Sequence, residues 1–435
     1  MQLKQPLNLS AEFLAILDQL ETTNDSMFIT GRAGTGKSTL LQLFRNTTKK
    51  RTAVLAPTGI AALNVKGQTI HSFFGFPPKM LNPNDIHRRR NWRMYQRLDV
   101  LIIDEISMVR ADMMDNIDLF LRRNRGVDEP FGGVQLILFG DLFQLPPVVA
   151  SDFEKHIFKN QYESPYFFSS KIISNPDYYL GMIELQEVYR QADRAFINLL
   201  DNIRMRAIDY DDMEMLNDRY QPIPEDLEYY ITLCSRNATA NEINTSALAK
   251  LDSANHVFTA KISGDFSTKQ VPTDLHLTLK IGAQIMFVKN DPKKKFVNGT
   301  IGKIESINGE TIIVSVKDDR DEIKRFELEQ MEWEIIRYTQ PEEGSNEIKT
   351  KIMGTFLQYP VKLAWAITIH KSQGKTFDTV VVDVGTGAFE YGQTYVALSR
   401  CRTLQGIYLK RPIKPTDIMV DTMVLEYFEN KRYHS

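Results

Sequence analysis

Apolar residues along this chain fall into short runs separated by helical periodicity. Ser10 can cap a helix that runs to about Leu20, with Phe13, Leu14, Leu17 and Leu20 on one face. Compact apolar segments then recur at Met27–Ile29, Ala53–Ala56, Val100–Ile103 and Val134–Phe139, with helical stretches between them. Alternating strands and helices predict a parallel sheet covered on both faces. All four segments precede residue 150, so they predict one α/β domain with a ligand site at the carboxyl ends of its strands.

Two stretches break this rhythm. Within residues 66–97, Phe73, Phe74, Phe76, Pro77 and Pro78 precede His87–Arg88–Arg89–Arg90, Trp92, Arg93 and Arg97, and no acid falls between Asp85 and Asp99. That composition suits an insertion that projects from the sheet and touches a phosphate backbone. A second α/β region starts near Gly181, with strands at Tyr230–Leu233, Thr379–Val384 and Gly406–Leu409. Inside it, Gln284–Val288, Gly299–Ile304, Thr311–Val316 and Lys324–Leu328 alternate as short strands, with turn signals at Asn298–Gly299 and Asn308–Gly309. They predict a small β-barrel inserted over residues 283–355, and Pro341–Asn346 reads as a loop. The expected division is residues 1–180 and 181–435.

A length of 435 residues supports two or three domains. The formal charge of −2 leaves no global field for a polyanion, so nucleic acid would have to be met by local patches. Cys234 and Cys401 belong to no metal-spaced cluster and give no disulfide framework. No apolar run approaches a membrane span, and Met1–Leu9 holds no signal core. A cytoplasmic protein without membrane contact is expected.

The chemistry concentrates at Gly31–Arg32–Ala33–Gly34–Thr35–Gly36–Lys37–Ser38–Thr39, which follows an apolar strand and opens a helix. Gly31, Gly36, Lys37 and Ser38 satisfy the phosphate-loop spacing. The glycines let backbone N–H groups turn toward phosphate oxygens, Lys37 reaches the β- and γ-phosphates, and Ser38 ligates Mg²⁺. The strand Val100–Ile103 ends in Asp104 and Glu105, placed to hold Mg²⁺ and to polarise a water. Gln144, in a loop stiffened by Pro146 and Pro147, can sense the γ-phosphate or orient that water. Arg190 and Arg400 are candidates for stabilising the transferred phosphoryl group, and both need the two α/β regions to close.

Eight segments appear in order: Gly31–Thr39, Leu55–Val65, Gln68–Phe74, Leu101–Val109, Phe139–Val148, Leu185–Gln191, Ala366–Asp378 and Tyr395–Arg402. The series resembles the 5′-to-3′ branch of helicase superfamily one. The stretch from Arg110 to Gly133, ending Pro130–Phe131–Gly132–Gly133, resembles the Pif (petite integration frequency) family more than RecD. The resemblance covers about residues 27–403. It implies an ATP- and Mg²⁺-dependent DNA helicase with two RecA-like motor domains, a wedge at 66–97 and a Src-homology-like barrel. It implies catalytic roles for Lys37, Glu105, Gln144, Arg190 and Arg400, and nucleotide contacts from Gly34, Thr35, Gly36, Lys37, Ser38, Thr39, Asp104, Gln144, Arg190, Gly374 and Arg400. Thr58, His71, Thr368, His370 and Ser372 map to positions facing single-stranded DNA. Single-stranded and forked DNA are the implied partners of a monomer without long extensions, suited to a bacterial nucleoid, with roles in repair, recombination and telomere maintenance. G-quadruplexes and RNA–DNA hybrids stay open as substrates.

One position departs from the family pattern. A glutamine that reads adenine usually follows the run Leu9–Ser10–Ala11–Glu12, and here Phe13 stands there. Gln5 or Gln19 could substitute, or packing could hold the base. Two alternatives remain at this stage. One is a DNA-stimulated translocase that does not separate strands, and the other is a phosphotransferase that never meets DNA.

Overall fold

The computed structural model describes residues 10–77, 80–149, 151–266, 271–318, 322–339 and 348–433. Gln5, Pro78 and the Pro341–Asn346 loop lie outside them.

The first sheet has six parallel strands, in the order Gln68–Thr69, Thr52–Ala56, Val100–Ile103, Gln135–Phe139, Ser26–Gly31 and Leu180–Leu185. Every residue of Ser26–Gly31, Val100–Ile103 and Gln135–Phe139 is buried, which explains continuous apolar runs in place of alternation. Those three strands deliver Gly31, Asp104 and Gly140 to one end of the sheet.

The division at residue 180 needs correction at both ends. Leu180–Leu185 pairs in register with Ser26–Gly31 as an edge strand of the first sheet. The last helix, Thr422–Tyr433, also packs on that side of the molecule. Phe428 meets Phe143 edge-on at 5.1 Å, and Tyr427 stacks on Phe168 at 4.2 Å. The Lys431 ammonium donates to the Leu180 carbonyl at 2.8 Å. Local pattern marks strands but does not say which sheet an edge strand joins.

The insertion at 66–97 is also less protruding than its composition suggests. Phe73, Phe74 and Phe76 are buried, Phe74 stacks on Phe76 at 5.3 Å, and Phe120 of the helix Ala111–Arg125 closes on both. The Tyr95 hydroxyl donates to the Phe73 carbonyl at 2.8 Å. The aromatic half is therefore core, and the basic half remains outside, with His87, Arg88, Arg89 and Arg90 exposed and the Arg88 guanidinium 3.8 Å from the centroid of Trp92.

The second parallel sheet has the order Ala366–Thr368, Ile231–Cys234, Val380–Asp383, Ile407–Leu409. Its β-rich companion is larger than residues 283–355. The five-stranded antiparallel sheet runs Ile323–Glu327, Thr311–Lys317, Ile301–Asn308, Gln284–Phe287, Val361–Leu363. It shares an apolar core with Leu277 and Leu279 of the antiparallel pair His256–Thr259 and His276–Leu279. Two long strands, Met331–Thr339 and Lys349–Gln358, pair with each other, and Lys349–Gln358 pairs on its other edge with Lys261–Gly264. Tyr338 of this layer reaches the first domain: the Val54 N–H donates to its hydroxyl at 2.9 Å, and its ring meets Phe73 at 5.6 Å.

Candidate nucleotide and nucleic-acid site

The phosphate loop is built by glycine geometry. Gly34 and Gly36 take φ of 90° and 82°, left-handed values that side chains disfavour, and Gly36 caps the helix Lys37–Thr47. The Lys37 ammonium donates to the Gly31 and Arg32 carbonyls at 2.6 and 2.9 Å, so the loop is folded around its own cation. Burial pulls Lys37 down to about 8, partly opposed by the Asp141 and Glu105 carboxylates. Thr35 is buried with its hydroxyl on the Arg32 carbonyl at 3.0 Å, while Ser38 and Thr39 are exposed on the first turn. Free N–H groups at this helix start and the ammonium make an anion cradle.

Asp104 and Glu105 follow the buried strand directly. Glu105 holds φ 52°, ψ 46°, a left-handed conformation that costs a non-glycine residue about 1–3 kcal/mol and is kept where geometry matters. Desolvation raises both carboxyls above the usual range, Asp104 to about 7 with Glu105's charge adding to the effect. Lys37 and Arg400 oppose the rise at Glu105. The Ser38 hydroxyl and the Asp104 carboxylate are hard oxygen donors that suit Mg²⁺, whose other ligands are normally water and phosphate.

Gln144 is buried, its amide 3.4 Å from Asp141 Oδ2. Against its loop comes Gly392 of the second domain: a Cβ there would lie 2.4 Å from the Phe143 carbonyl oxygen and 2.5 Å from that of Gln144. The helix Gln393–Leu398 that follows carries the chain to Arg400. Arg190 Nη1 donates to the Ser399 carbonyl at 3.0 Å, and Gln191 Nε2 to that of Cys401 at 2.9 Å. Arg400 is buried, folded back on the Val396 carbonyl and the Ser399 hydroxyl at 3.0 and 2.9 Å, and within electrostatic reach of Glu105. Burial and the charge of Arg400 push Arg190 down to about 9. Lys37, Glu105, Gln144, Arg190 and Arg400 thus converge on one cleft. Gly374 takes φ 73° with open space around it, and its neighbour Lys375 lies within the field of Arg400.

An aromatic pair stands beside the phosphate loop. Phe13 is buried, meets Tyr189 edge-on at 6.2 Å, and its Cζ would be 3.0 Å from a Cβ on Gly36. Gln19 lies at the far end of the same helix, where its carbonyl accepts from Thr23.

Thr58 and His71 line one groove of about 340 Å³ with Pro57, Ile70, Met108 and Val148. Thr58 caps the helix Gly59–Asn64 through Ala61 N–H at 3.2 Å. Burial and the Arg110 charge lower the pKa of His71. The second-domain set divides. His370 keeps a partly exposed ring, with Nε2 2.8 Å from Glu390 Oε2. Thr368 and Ser372 are buried, and the Ser372 hydroxyl is used on the Ile369 carbonyl at 2.6 Å. Motif position alone does not show that these two side chains face inward.

The PIF1-like helicase family matches residues 8–213, and the UvrD-like helicase C-terminal domain matches residues 363–408. "ATP-dependent DNA helicase Pif1" of Bdellovibrio bacteriovorus is 33% identical, over 97% of this chain and 92% of that protein. This chain belongs to the PIF1-like helicase family. The mouse "ATP-dependent DNA helicase PIF1" is 34% identical over 98% of this chain, which spans 63% of that relative's length. Among solved structures, Bacteroides Pif1 in complex with ADP-AlF4 superimposes with a TM-score of 0.89, at 35% identity over 99% of this chain and 98% of that one. Bacteroides Pif1 bound to ssDNA gives 0.69 at 36% identity, over 98% and 97%. The PIF1-like fold described here, two RecA-like motor domains, is therefore nearer the first arrangement than the DNA-bound one.

Three residues of this PIF1-like cleft have no role in the sequence reading. Arg204 is fully buried, with nitrogens 3.3 Å from Asp141 Oδ1 and 3.2 Å from Glu184 Oε1. Its guanidinium lies 4.3 Å from the centroid of Phe143 and 5.0 Å from that of Phe428. Tyr395, also buried, reaches both Ala33 and Asp141. Asp141 and Tyr395 sit inside quoted motifs, so only their roles were hidden. Arg204 lies in an ordinary amphipathic helix, Arg194–Arg204, and no local signal marks it.

Proposed function

We propose that this chain is an ATP-dependent DNA helicase that moves 5′-to-3′ on single-stranded DNA and separates duplex by coupled hydrolysis. The observation that carries the reading is the cleft itself, where Lys37, Asp104, Glu105, Gln144 and Arg190, which follows the edge strand of the first sheet, meet the Arg400 segment across the interface through the Arg190–Ser399 bond. A single-domain phosphotransferase has no use for that closure. The ssDNA bound by the Bacteroides relative supports the nucleic-acid half of the reading.

The steps follow from the side chains. Phosphate oxygens of ATP take the Lys37 ammonium from the Gly31 and Arg32 carbonyls and occupy the loop N–H groups. Ser38 and Asp104 would hold Mg²⁺, which would supply positive charge against the phosphate oxygens. Glu105, whose desolvated carboxylate is more basic than usual, takes a proton from the attacking water, and Gln144 orients that water. Arg190 and Arg400 stabilise charge on the transferred group, an effect worth about 10³–10⁵ in rate for a well-placed arginine. Phe13 and Tyr189 hold the base by packing, in place of the family glutamine.

On the DNA side, the Thr58–His71 groove and His370 hold the single strand. The exposed basic face around Arg88 and Arg90 meets the duplex as a wedge. The protein acts as a monomer on single-stranded and forked DNA.

Duplexes carrying a 5′ or a 3′ single-stranded tail test the reading, with ATP, Mg²⁺ and Lys37→Ala as the blank. Separation of the 5′-tailed duplex alone is expected. DNA-stimulated hydrolysis without separation of either would replace the helicase with a translocase.

A further inference from the structure

A single buried hydroxyl joins three segments of the cleft. The Ala33 N–H of the phosphate loop donates to Tyr395 Oη at 2.9 Å, and that hydroxyl lies 3.2 Å from Asp141 Oδ2. Tyr395 stands on the second-domain helix five positions before Arg400, and Asp141 three positions before Gln144. A phenol has one proton to give, and here it goes to the carboxylate while its oxygen accepts the amide. Burial raises the Tyr395 pKa far above the ordinary phenol range, so the group stays a donor at any working pH.

The carboxylate is fixed in turn. Asp141 Oδ1 receives Arg204, whose guanidinium is held between Phe143 and Phe428 and also bonds Glu184. Arg32, next to Ala33, forms a two-pronged pair with Asp201 on the same helix, at 2.8 and 2.9 Å. The phosphate loop and the Gln144 loop are therefore braced from one helix. The only hydroxyl bridging them to the Arg400 segment, among the described residues, is that of Tyr395.

Building on the helicase reading above, we propose that Tyr395 is a positioning residue for ATP hydrolysis. Its hydroxyl sets the register in which the Arg400 segment closes on the phosphate loop and on Gln144. In any other register the buried Ala33 amide loses this acceptor and Asp141 Oδ2 keeps only the longer 3.4 Å bond from Gln144 Nε2, which is costly in a dry interface. Tyr395 touches no phosphate in this role. It acts through the placement of Arg400 and Gln144.

Tyr395→Phe keeps the ring and removes the hydroxyl. The full chain is assayed for DNA-stimulated turnover, for affinity to ADP and to ADP–AlF4, and for its melting midpoint. Turnover and ADP–AlF4 affinity are each expected to fall by about tenfold or more, the scale of a lost hydrogen bond to a charged group. KM for ATP and ADP affinity should stay close to those of the unsubstituted chain, while the melting midpoint falls modestly because the Ala33 amide loses its acceptor. Turnover within about twofold of that chain, or a fall in ADP affinity as large as the fall in ADP–AlF4 affinity, overturns the proposal and leaves Tyr395 a packing residue. Absence of DNA-stimulated turnover in the unsubstituted chain would instead overturn the helicase reading and take the proposal with it.

Discussion

A Cβ on Gly34 would lie 2.5 Å from the Cβ of Arg190, so the phosphate loop and the segment carrying the first arginine touch backbone to side chain. The Tyr189 N–H donates to the Gly34 carbonyl at 2.9 Å beside this contact. Gly34→Ala therefore meets two obstacles, the left-handed φ of 90° and the collision with Arg190. The backbone strain alone is about 1–3 kcal/mol, and the loop can relieve both only by moving away from Arg190. ATP affinity, titrated by a fluorescent analogue, should weaken by about tenfold or more, since 1.4 kcal/mol is a factor of ten. Unchanged affinity would mean that the loop is not held in this shape when nucleotide binds.

The buried charges around Lys37 give the reaction a pH window. Lys37 is pulled from 10.5 to about 8, so above that pH the amine is neutral and the phosphates lose a cation. KM for ATP should rise as pH climbs past about 8. Asp104 is raised to about 7, so below that pH its proton competes with Mg²⁺. The half-saturating Mg²⁺ concentration should rise as pH falls through about 7, at fixed ATP. Asp104 and Glu105 titrate as a pair, so the acid limb reports the pair. KM for ATP measured on either side of pH 8 and Mg²⁺ titrations on either side of neutrality check the two signs.

Arg400 has no carboxylate within ion-pair distance among the described residues; its nitrogens bond Val396 and Ser399 instead. An arginine held by neutral partners beside Glu105 is free to turn toward an incoming anion. Arg400→Ala should leave ATP binding nearly intact and lower turnover by about 10³-fold or more. Turnover close to that of the unsubstituted chain would remove Arg400 from the chemistry.

The parts legible in the sequence are those written locally. Gly31–Thr39 and Val100–Glu105 declare their chemistry through spacing and strand ends, and the structure brings them to one cleft with Gln144, Arg190 and Arg400. What escaped was set by distant partners. Gly181 marks the start of the second α/β region in the sequence, and nothing local shows that Leu180–Leu185 is a strand beside Ser26–Gly31. Met331–Thr339 carries alternation broken at Ile335 and Ile336, where the pairing register shifts, which hides a nine-residue strand. Thr368 and Ser372 match the family motif, and motif position gives no sign that both are buried, with the Ser372 hydroxyl on the Ile369 carbonyl. Arg204 becomes visible only once Asp141, Glu184, Phe143 and Phe428 are gathered from four separate segments.

Tyr338 offers a test of how the β-rich layer holds to the first domain. Its hydroxyl accepts the Val54 N–H at 2.9 Å, its own N–H donates to Gln68 Oε1 at 3.3 Å, and its ring packs edge-on against Phe73. Val54 is fully buried, so Tyr338→Phe leaves its amide without a partner while the packing survives. Destabilisation of about 1–3 kcal/mol is expected, read as a lower denaturant midpoint with little change in slope. Tyr338→Ala also empties the aromatic site and should cost about 3–5 kcal/mol. If the phenylalanine variant unfolded at the original midpoint, the amide of Val54 would have another acceptor, and the attachment would rest on the ring alone. A measurable gap between the two variants separates the hydrogen bond from the packing, because only the second removes both.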